Sequence, residues 1–145
     1  MPLVQTILDK KGHHVFSIGE DQTVLAAAHV MNEQRVGALV VTRGELVVGI
    51  FTERDILCRI VAVQRDPAQT RVTEVMTTPV AVCAPETTRD ECRTVMRNQR
   101  IRHLPVVKDG RLIGMISIGD VLIAAEADHT ATIQHLHEYL YGEWR

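Results

Sequence analysis

The stretch GIFTERD at residues 49–55 is repeated as GMISIGD at residues 114–120, an offset of 65 residues. Both stretches contain a glycine, two apolar residues, a hydroxyl residue, two variable residues and an aspartate in that order. Repetition of such a pattern at a fixed offset is typical of a chain that carries two copies of one structural unit. The unit that surrounds this stretch therefore decides the fold.

The repeat extends well beyond this stretch on both sides. When residues 21–57 are aligned with residues 86–122 without a gap, 10 of the 37 positions are identical, whereas chance would give roughly two or three with ordinary residue usage. The leading segments VQTIL (4–8) and VTEVM (72–76) also resemble each other, although the first copy carries three extra residues there. The sequence therefore predicts two copies of one unit rather than one irregular domain.

Each copy contains the same series of predicted elements. A short apolar strand comes first, then an amphipathic helix, then two strands joined by a hairpin turn, and then a second helix. The strands are predicted at 14–18, 36–42 and 46–51, and at 80–83, 102–108 and 112–117. Because hydroxyl and acidic residues favour helix N-termini, the helices are predicted to begin near Asp21 or Thr23, Thr52, Thr87 or Thr88, and Ser117.

These elements predict an α/β (α+β) fold made of two pseudo-symmetric β-α-β-β-α units and a C-terminal helix. One unit of about 60 residues buries too little surface to be secure alone, so we expect the two units to pack sheet against sheet. The units are predicted at 1–66 and 67–125, with the polar, proline-containing segment QRDPAQTR (64–71) as the linker. A helical tail is predicted at 126–145, and it either packs back onto the units or contacts a partner.

The composition of the chain restricts the classes of function. The chain has 145 residues, of which 46% are hydrophobic and 23% are charged, and its formal net charge is −2. This charge argues against nucleic acid and against an anionic membrane surface as partners, and the 3% of aromatic residues argues against stacking on single-stranded nucleic acid. The N-terminal sequence does not resemble a signal peptide and no run approaches 18 apolar residues, so we expect a cytoplasmic protein.

The three cysteines, Cys58, Cys83 and Cys92, form no C-x-x-C pair. Their odd number and their spacing predict neither a disulfide framework nor a cysteine-rich zinc site, and we expect buried thiols in a reducing compartment. No Ser–His–Asp or Cys–His set stands at a spacing that indicates nucleophilic catalysis. We therefore expect no catalytic residues, no metal and no enzymatic activity.

The repeated stretch offers a chemical interpretation. Thr52 and Ser117 lie where a strand passes into a helix, and a helix N-terminus favours an anion such as phosphate. Asp55 and Asp120 follow three residues later, where a carboxylate can accept hydrogen bonds from the two hydroxyls of a ribose. The alternative interpretation is a capping box, which has the same spacing and serves only to start a helix.

The strand IRHLPVV (101–107) is the second candidate feature. Its proline marks a strand edge, a bulge or the wall of a ligand site, because proline lacks a backbone donor. Arg102 or His103 is expected to reach a phosphate group; the alternative is that both point into solvent. Copy one has Gly37 and Ala38 at the matching positions, so we expect a roomier first site and a more basic second site.

The duplicated unit, the two glycine–hydroxyl–aspartate stretches and the RHLPVV strand together resemble a CBS-domain pair, or Bateman module, over roughly residues 3–125. The resemblance implies that the two units form a cleft for an adenosine-containing ligand: AMP, ADP, ATP, S-adenosylmethionine or NAD. It implies that the hydroxyl residue contacts phosphate, that the aspartate holds the ribose, and that the first strand and the Pro105 strand sandwich the adenine. Copy one departs from the pattern at Val40, where copy two has Pro105.

The resemblance thus assigns a set of nucleotide-binding residues and a regulatory role. We expect a homodimer that senses the nucleotide and regulates an unknown protein partner in trans, with a structural dimerising adaptor as the alternative. The candidate ligand residues are Gly37, Ala38, Thr52, Asp55, Val80, Arg102, His103, Pro105, Ser117 and Asp120.

A cluster of basic residues precedes the first strand. Lys10, Lys11, His13 and His14 are interpreted as a solvated loop, with added charge near a phosphate as the alternative.

Overall fold

The computed structural model describes residues 2–125, so the predicted tail at 126–145 lies outside the described residues. The predicted mixed α/β class is confirmed. Within the described residues, no helix is long and apolar enough to cross a bilayer. The helices are α1 (Val4–Lys11), α2 (Val24–Gln34), α3 (Glu53–Ile56), α4 (Val72–Val75), α5 (Arg89–Gln99) and α6 (Ile118–Ala125). The strands are β1 (Ser17–Gly19), β2 (Ala38–Arg43), β3 (Leu46–Thr52), β4 (His103–Lys108) and β5 (Arg111–Ser117).

Two compact units share the chain. Among the described residues, the central unit consists of Val15–Val80, and the terminal unit consists of residues 2–14 together with residues 81–125. These units differ from the stretches 1–66 and 67–125, because α1 belongs to the terminal unit and α4 to the central unit. The leading helix of each sequence copy therefore packs with the elements of the other copy, and the sequence patterns predict neither helix.

The central unit contains a three-stranded sheet in the order β1-β2-β3. β1 pairs with β2 in parallel, and β2 pairs with β3 in antiparallel fashion, with Ala38 opposite Thr52. The first four residues of β2 are buried, as expected for a short continuous apolar run. Of these, Leu39 and Val41 pack in one cluster with Val24, Ala27 and Met31, which are buried at helical spacing along α2.

The predicted helix starts are confirmed at α2 and α5. Thr23 accepts a hydrogen bond from the backbone N–H of Ala26 at 3.0 Å, and Thr88 accepts one from the N–H of Glu91 at 3.1 Å. The Glu91 carboxylate in turn accepts from the N–H of Thr88, which completes a capping box. Threonine suits these positions because its hydroxyl satisfies an N–H group that the first helical turn leaves unpaired.

The terminal unit contains the two-stranded antiparallel sheet β4-β5, and the predicted strand at 80–83 is reduced to one bridge at Cys83. In the central unit, the N–H of Val40 donates to the carbonyl of Phe16 at 3.1 Å. The residue 65 positions after Val40 is Pro105, which has no N–H to donate. The prediction of a strand at 80–83 is therefore wrong, because the proline removes a hydrogen bond that the strand would need.

The segment at 64–71 packs onto the central unit instead of forming an open linker. The N–H of Val24 donates to the carbonyl of Thr70 at 2.8 Å, so this segment satisfies a free donor at the start of α2. Thr70 is buried, and its hydroxyl donates to the carbonyl of Asp66 at 2.8 Å. The polar composition of the segment thus serves local hydrogen bonds that sequence alone does not reveal.

Candidate functional site

The glycines of the two repeated stretches lie under the leading helices. A Cβ atom on Gly49 would be 2.6 Å from the Sδ of Met76, and one on Gly114 would be 2.8 Å from the Cδ2 of Leu8. Contacts this short are not tolerated between carbon atoms in a packed core. Protein side chains therefore approach these glycines closely, so the glycines are explained without a ligand.

The first candidate site, here called the central site, comprises Gly37, Ala38, Thr52 and Asp55. Thr52 and Asp55 form a capping box at the start of α3. The Thr52 hydroxyl accepts from the Asp55 N–H at 3.3 Å, and the Asp55 Oδ2 accepts from the Thr52 N–H at 3.0 Å. The capping interpretation of this stretch is confirmed, and it leaves the ligand interpretation open because the two functions are compatible.

Asp55 has further partners inside the central unit. Its side chain is buried, with 5% of the residue exposed. The hydroxyl of Thr77 donates to the Asp55 Oδ1 at 2.9 Å, and the Arg59 Nε lies 3.8 Å from the same oxygen. Both carboxylate oxygens are therefore already hydrogen-bonded, and a ribose hydroxyl would compete with these donors for Asp55.

Gly37 and Ala38 lie beside this capping box. The carbonyl of Gly37 accepts from the N–H of Glu53 at 3.0 Å, and Ala38 is buried opposite Thr52 in the sheet. A Cβ on Gly37 would lie 3.3 Å from the carboxylate of Glu53. The residue pattern that suggests a roomy pocket thus accommodates a glutamate side chain, and it brings negative charge to this site.

The second candidate site, here called the terminal site, comprises Arg102, His103, Pro105, Ser117 and Asp120. His103 is paired with Ser117 across β4 and β5, and the carbonyl of Arg102 accepts from the N–H of Ile118 at 2.9 Å. The Asp120 Oδ2 accepts from the Ser117 N–H at 2.8 Å, and the Asp120 N–H donates to the Ser117 hydroxyl at 3.1 Å. The structure thus brings Arg102, His103, Ser117 and Asp120 together, and their role in ligand binding stays a prediction.

The amide groups at both helix starts are largely engaged by the protein. In the terminal unit the N–H groups of Ser117, Ile118 and Asp120 each have a partner within the unit. The equivalent three amides of the central unit are engaged in the same way. The helix N-terminus alone is therefore a weaker phosphate site than the sequence suggests. Binding of a phosphate group would depend mainly on cationic side chains.

Lys11 provides such a cation in the terminal site. Its Nζ donates to the Asp120 Oδ2 at 2.7 Å and to the carbonyl of Met115 at 2.9 Å. The Nδ1 of His13 lies 3.2 Å from the carbonyl of Ile113. The interpretation of this basic segment as a solvated loop is therefore wrong for Lys11 and His13, which contact β5 and the start of α6.

The two basic residues at the start of β4 have different environments. Arg102 is exposed, whereas His103 is half-buried. Burial, reinforced by the positive charge of Arg102, lowers the pKa of His103 to about 4, although Asp120 acts in the opposite direction. At neutral pH His103 is therefore uncharged and can offer a hydrogen bond, while Arg102 carries a charge.

Val80 and Pro105 were expected to enclose an adenine ring. Pro105 is buried in β4 opposite Met115, and Val80 is half-buried. Val80 closes the central unit and Pro105 belongs to the terminal unit. Neither compact unit contains both residues, so the enclosure of adenine by this pair stays a prediction.

Both repeated units of the chain match one known protein family. Residues 9–62 and residues 72–127 each match the CBS domain. The chain belongs to the CBS-domain family. Paired CBS domains are generally regulatory, ligand-binding modules, and the repeat described above is a pair of them.

Curated relatives of this CBS-domain pair include stand-alone CBS proteins. The chain is 41% identical over 127 residues to the mitochondrial CBS domain-containing protein CBSX3 of Arabidopsis thaliana, with 84% of this chain and 62% of that protein covered. It is 30% identical over 128 residues to the CBS domain-containing protein YhcV of Bacillus subtilis, with 88% of this chain and 91% of that protein covered. The matched region thus spans less than two thirds of the first protein and most of the second.

Solved structures of CBS proteins share the fold. A CBS-domain protein from Burkholderia ambifaria MC40-6, described as acting in signal transduction, is 38% identical with a TM-score of 0.83, and the match covers 88% of this chain and 96% of that chain. A hexameric CBS-CP12 protein from bloom-forming cyanobacteria is 27% identical with a TM-score of 0.74, covering 98% and 90%. These structures agree with the CBS-pair fold of the present chain.

Metal binding and catalysis gain no support from the part of the CBS pair that the structure describes. Across residues 2–125, no group of three or more histidine, cysteine, aspartate or glutamate side chains is placed to hold a metal ion. Cys83 and Cys92 are buried and Cys58 is exposed, and all three are free thiols.

Proposed function

We propose that the chain is a regulatory module that binds an adenine nucleotide at the terminal site and transmits its presence to a protein partner. The ligand class is AMP, ADP, ATP, NAD or S-adenosylmethionine. The observation that carries this proposal is the arrangement around Asp120, a carboxylate at a helix start flanked by a lysine, an exposed arginine and a neutral histidine.

The acceptor capacity of Asp120 fits a ribose. Its side chain is 14% exposed. The hydrogen bonds from Ser117 and Lys11 both fall on Oδ2. A carboxylate has about four lone-pair positions, so within residues 2–125 Oδ1 is the oxygen best placed to accept a ribose hydroxyl.

The charge of the terminal site fits a phosphate. Lys11 and Arg102 are cationic and Asp120 is anionic, so the balance favours an anion. His103, neutral at pH 7, can donate or accept a hydrogen bond without adding charge. The central site lacks this surplus, because Asp55 is buried and Glu53 lies beside Gly37. We therefore propose the terminal site as the tighter one.

Regulation by such a ligand follows from linkage. A nucleotide shifts the population toward the arrangement of subunits that binds it better, and the shift cannot exceed its differential affinity, commonly about 1–3 kcal/mol. We propose a homodimer as the responding assembly. The hexameric CBS-CP12 protein supports the idea that CBS proteins of this fold assemble. We propose that the partner is a separate protein and that the complex acts in the cytoplasm, where free thiols are maintained.

A structural adaptor without a ligand is the second candidate. It is favoured by one observation: helix capping and packing under the leading helices account for Gly49, Asp55 and Gly114 with no bound molecule. An adaptor would dimerise and bind its partner equally well with and without nucleotide.

Thermal unfolding with a ligand panel separates the two candidates. The protein is heated with AMP, ADP, ATP, NAD, S-adenosylmethionine and adenosine, and with GMP as the control, each at millimolar concentration. A ligand present at 100 times its Kd adds about 2.7 kcal/mol to the free energy of unfolding, which raises the Tm by several degrees for a domain of this size. Stabilisation by one or more adenine nucleotides, with none by GMP, is expected. Absence of stabilisation by every ligand would support the adaptor.

A further inference from the structure

In each unit, a residue at or just after the end of a leading helix, α1 or α4, donates a hydrogen bond to the aspartate of that unit. Just after α4, the Thr77 hydroxyl donates to the Asp55 Oδ1 at 2.9 Å. At the end of α1, the Lys11 Nζ donates to the Asp120 Oδ2 at 2.7 Å. The two donors occupy corresponding places, but one is a neutral hydroxyl and the other is an ammonium group. The two sites of the CBS pair therefore differ in charge at the atom nearest the proposed ribose.

The Lys11 ammonium retains a donor for a ligand. It has three N–H groups, and within residues 2–125 it donates two hydrogen bonds, to Asp120 and to the carbonyl of Met115. Its side chain is 33% exposed, so the remaining N–H can face solvent or a bound molecule. Lys11 is thus held in a defined position by two protein acceptors while its charge stays accessible from outside.

Asp120 by itself would disfavour a phosphorylated ligand. A carboxylate within a few ångströms of a phosphate costs free energy, because two negative charges repel most strongly where water is excluded. Lys11 neutralises that charge at 2.7 Å, and Arg102 is then left as a net positive charge at the terminal site. Without Lys11, the charges of Arg102 and Asp120 would cancel.

The central site shows the contrasting balance. Asp55 and Glu53 are anionic, Arg59 lies 3.8 Å from Asp55, and Arg54 is exposed. These charges cancel, and Thr77 adds none. The central site, where the neutral hydroxyl of Thr77 donates to Asp55, therefore has no surplus charge. The terminal site, where the ammonium group of Lys11 donates to Asp120, has a net positive charge.

We propose that Lys11 is a specificity-determining residue, which makes the terminal site prefer the phosphorylated form of its nucleoside ligand over the nucleoside. This inference rests on the proposed function. Lys11 acts by neutralising Asp120 and by offering its remaining N–H to the ligand, so its contribution grows with the negative charge of that ligand.

Binding of AMP and of adenosine by four proteins tests this inference: the wild type, Lys11→Met, Lys11→Arg and Lys10→Met. Affinities are read from the amide chemical shifts of Gly114 and Gly119, which report on the terminal unit. Lys10→Met is the matched control, because it removes one positive charge from the same exposed helical turn.

The wild type is expected to bind AMP at least about tenfold more tightly than adenosine, because a hydrogen bond to a charged group contributes about this much to affinity. Lys11→Met is expected to lower the affinity for AMP about tenfold and to change the affinity for adenosine by no more than about twofold. Lys11→Arg should keep most of the preference, and Lys10→Met should keep all of it. Thermal unfolding of each variant without ligand checks that the fold is retained, and Lys11→Gln replaces Lys11→Met if that variant is unstable.

Other outcomes overturn the inference in distinguishable ways. Equal weakening of AMP and adenosine by Lys11→Met would mean that Lys11 only positions Asp120, and the proposed function would stand. Tighter binding of both ligands would make Lys11 a competitor for the carboxylate. Absence of binding to the wild type would overturn the proposed function and this inference together.

Discussion

The Lys11 ammonium and the Asp120 carboxylate, 109 positions apart in the chain, form an ion pair at 2.7 Å within the terminal unit. The same helix that ends at Lys11 places Leu8 directly above Gly114. α1 therefore completes the candidate site of the second sequence copy, both by packing and by charge. The site is built from the first and last parts of the described chain.

Gly114→Ala should destabilise the terminal unit. The new methyl group would lie 2.8 Å from Leu8, whose side chain is fully buried and has little room to move. Overpacking of this kind costs about 1–3 kcal/mol, and urea denaturation measures it. Gly19→Ala is the control, because its Cβ would come no closer than 3.9 Å to Gln22.

Leu8→Ala should be strongly destabilising by itself and should relieve Gly114→Ala. Removing a fully buried leucine side chain costs about 2–5 kcal/mol. In that background the Gly114→Ala methyl group has space, so the double variant should be more stable than the sum of the single effects by about 0.5–3 kcal/mol. Strict additivity would mean that the two residues do not contact each other in solution.

His103 should make stability depend on pH between 4 and 6.5. Its pKa falls from 6.5 in the unfolded chain to about 4 in the folded protein, chiefly through burial. Between these values the unfolded state binds the proton and the folded state does not, so the free energy of unfolding decreases as the pH falls.

His103→Gln should remove this dependence. Between pH 7 and pH 4.5 the free energy of unfolding should fall by on the order of 2 kcal/mol more in the wild type than in the variant. Urea denaturation at each pH measures this difference. Parallel losses in the two proteins would contradict a buried, neutral His103.

Pro105→Val should extend the sheet of the terminal unit. In the central unit the N–H of Val40 donates to the carbonyl of Phe16. The residues 65 positions later are Pro105 and Ala81, so the new N–H at residue 105 is expected to donate to the carbonyl of Ala81. Hydrogen exchange should show protection of the residue 105 amide comparable to that of Val40. Fast exchange at residue 105 would mean that a cause other than the missing donor prevents the strand.

The locally determined parts of the fold could be predicted from the sequence. Thr23 and Thr88 cap their helices, and Thr52 and Ser117 begin theirs, because capping depends on residues three positions apart. The Asp109–Gly110 turn has the positive φ angles that this residue pair favours. The two candidate aspartates could also be predicted, because each stands three residues after the hydroxyl residue of its repeated stretch.

The remaining features depend on contacts between distant residues. Nothing near Lys11 in the sequence indicates that it meets Asp120, and nothing near Gly49 indicates that Met76 will cover it. The packing of α1 and α4 with elements of the other copy likewise has no signal in the sequence near either helix. The loss of the strand at 80–83 could have been found, because aligning Pro105 with Val40 reveals the missing donor.

The central claim is that the terminal site binds an adenine nucleotide through Asp120. Calorimetric titration of AMP into the wild type, Asp120→Asn and Asp55→Asn tests it most directly, because asparagine keeps one acceptor oxygen for the helix cap while it removes the charge and replaces the second acceptor oxygen by a donor. We predict that Asp120→Asn weakens AMP binding by about 1.5–3 kcal/mol, or roughly 10- to 150-fold, while Asp55→Asn leaves this binding within about twofold. Equal affinity of Asp120→Asn and the wild type, or no heat from the wild type, would contradict it.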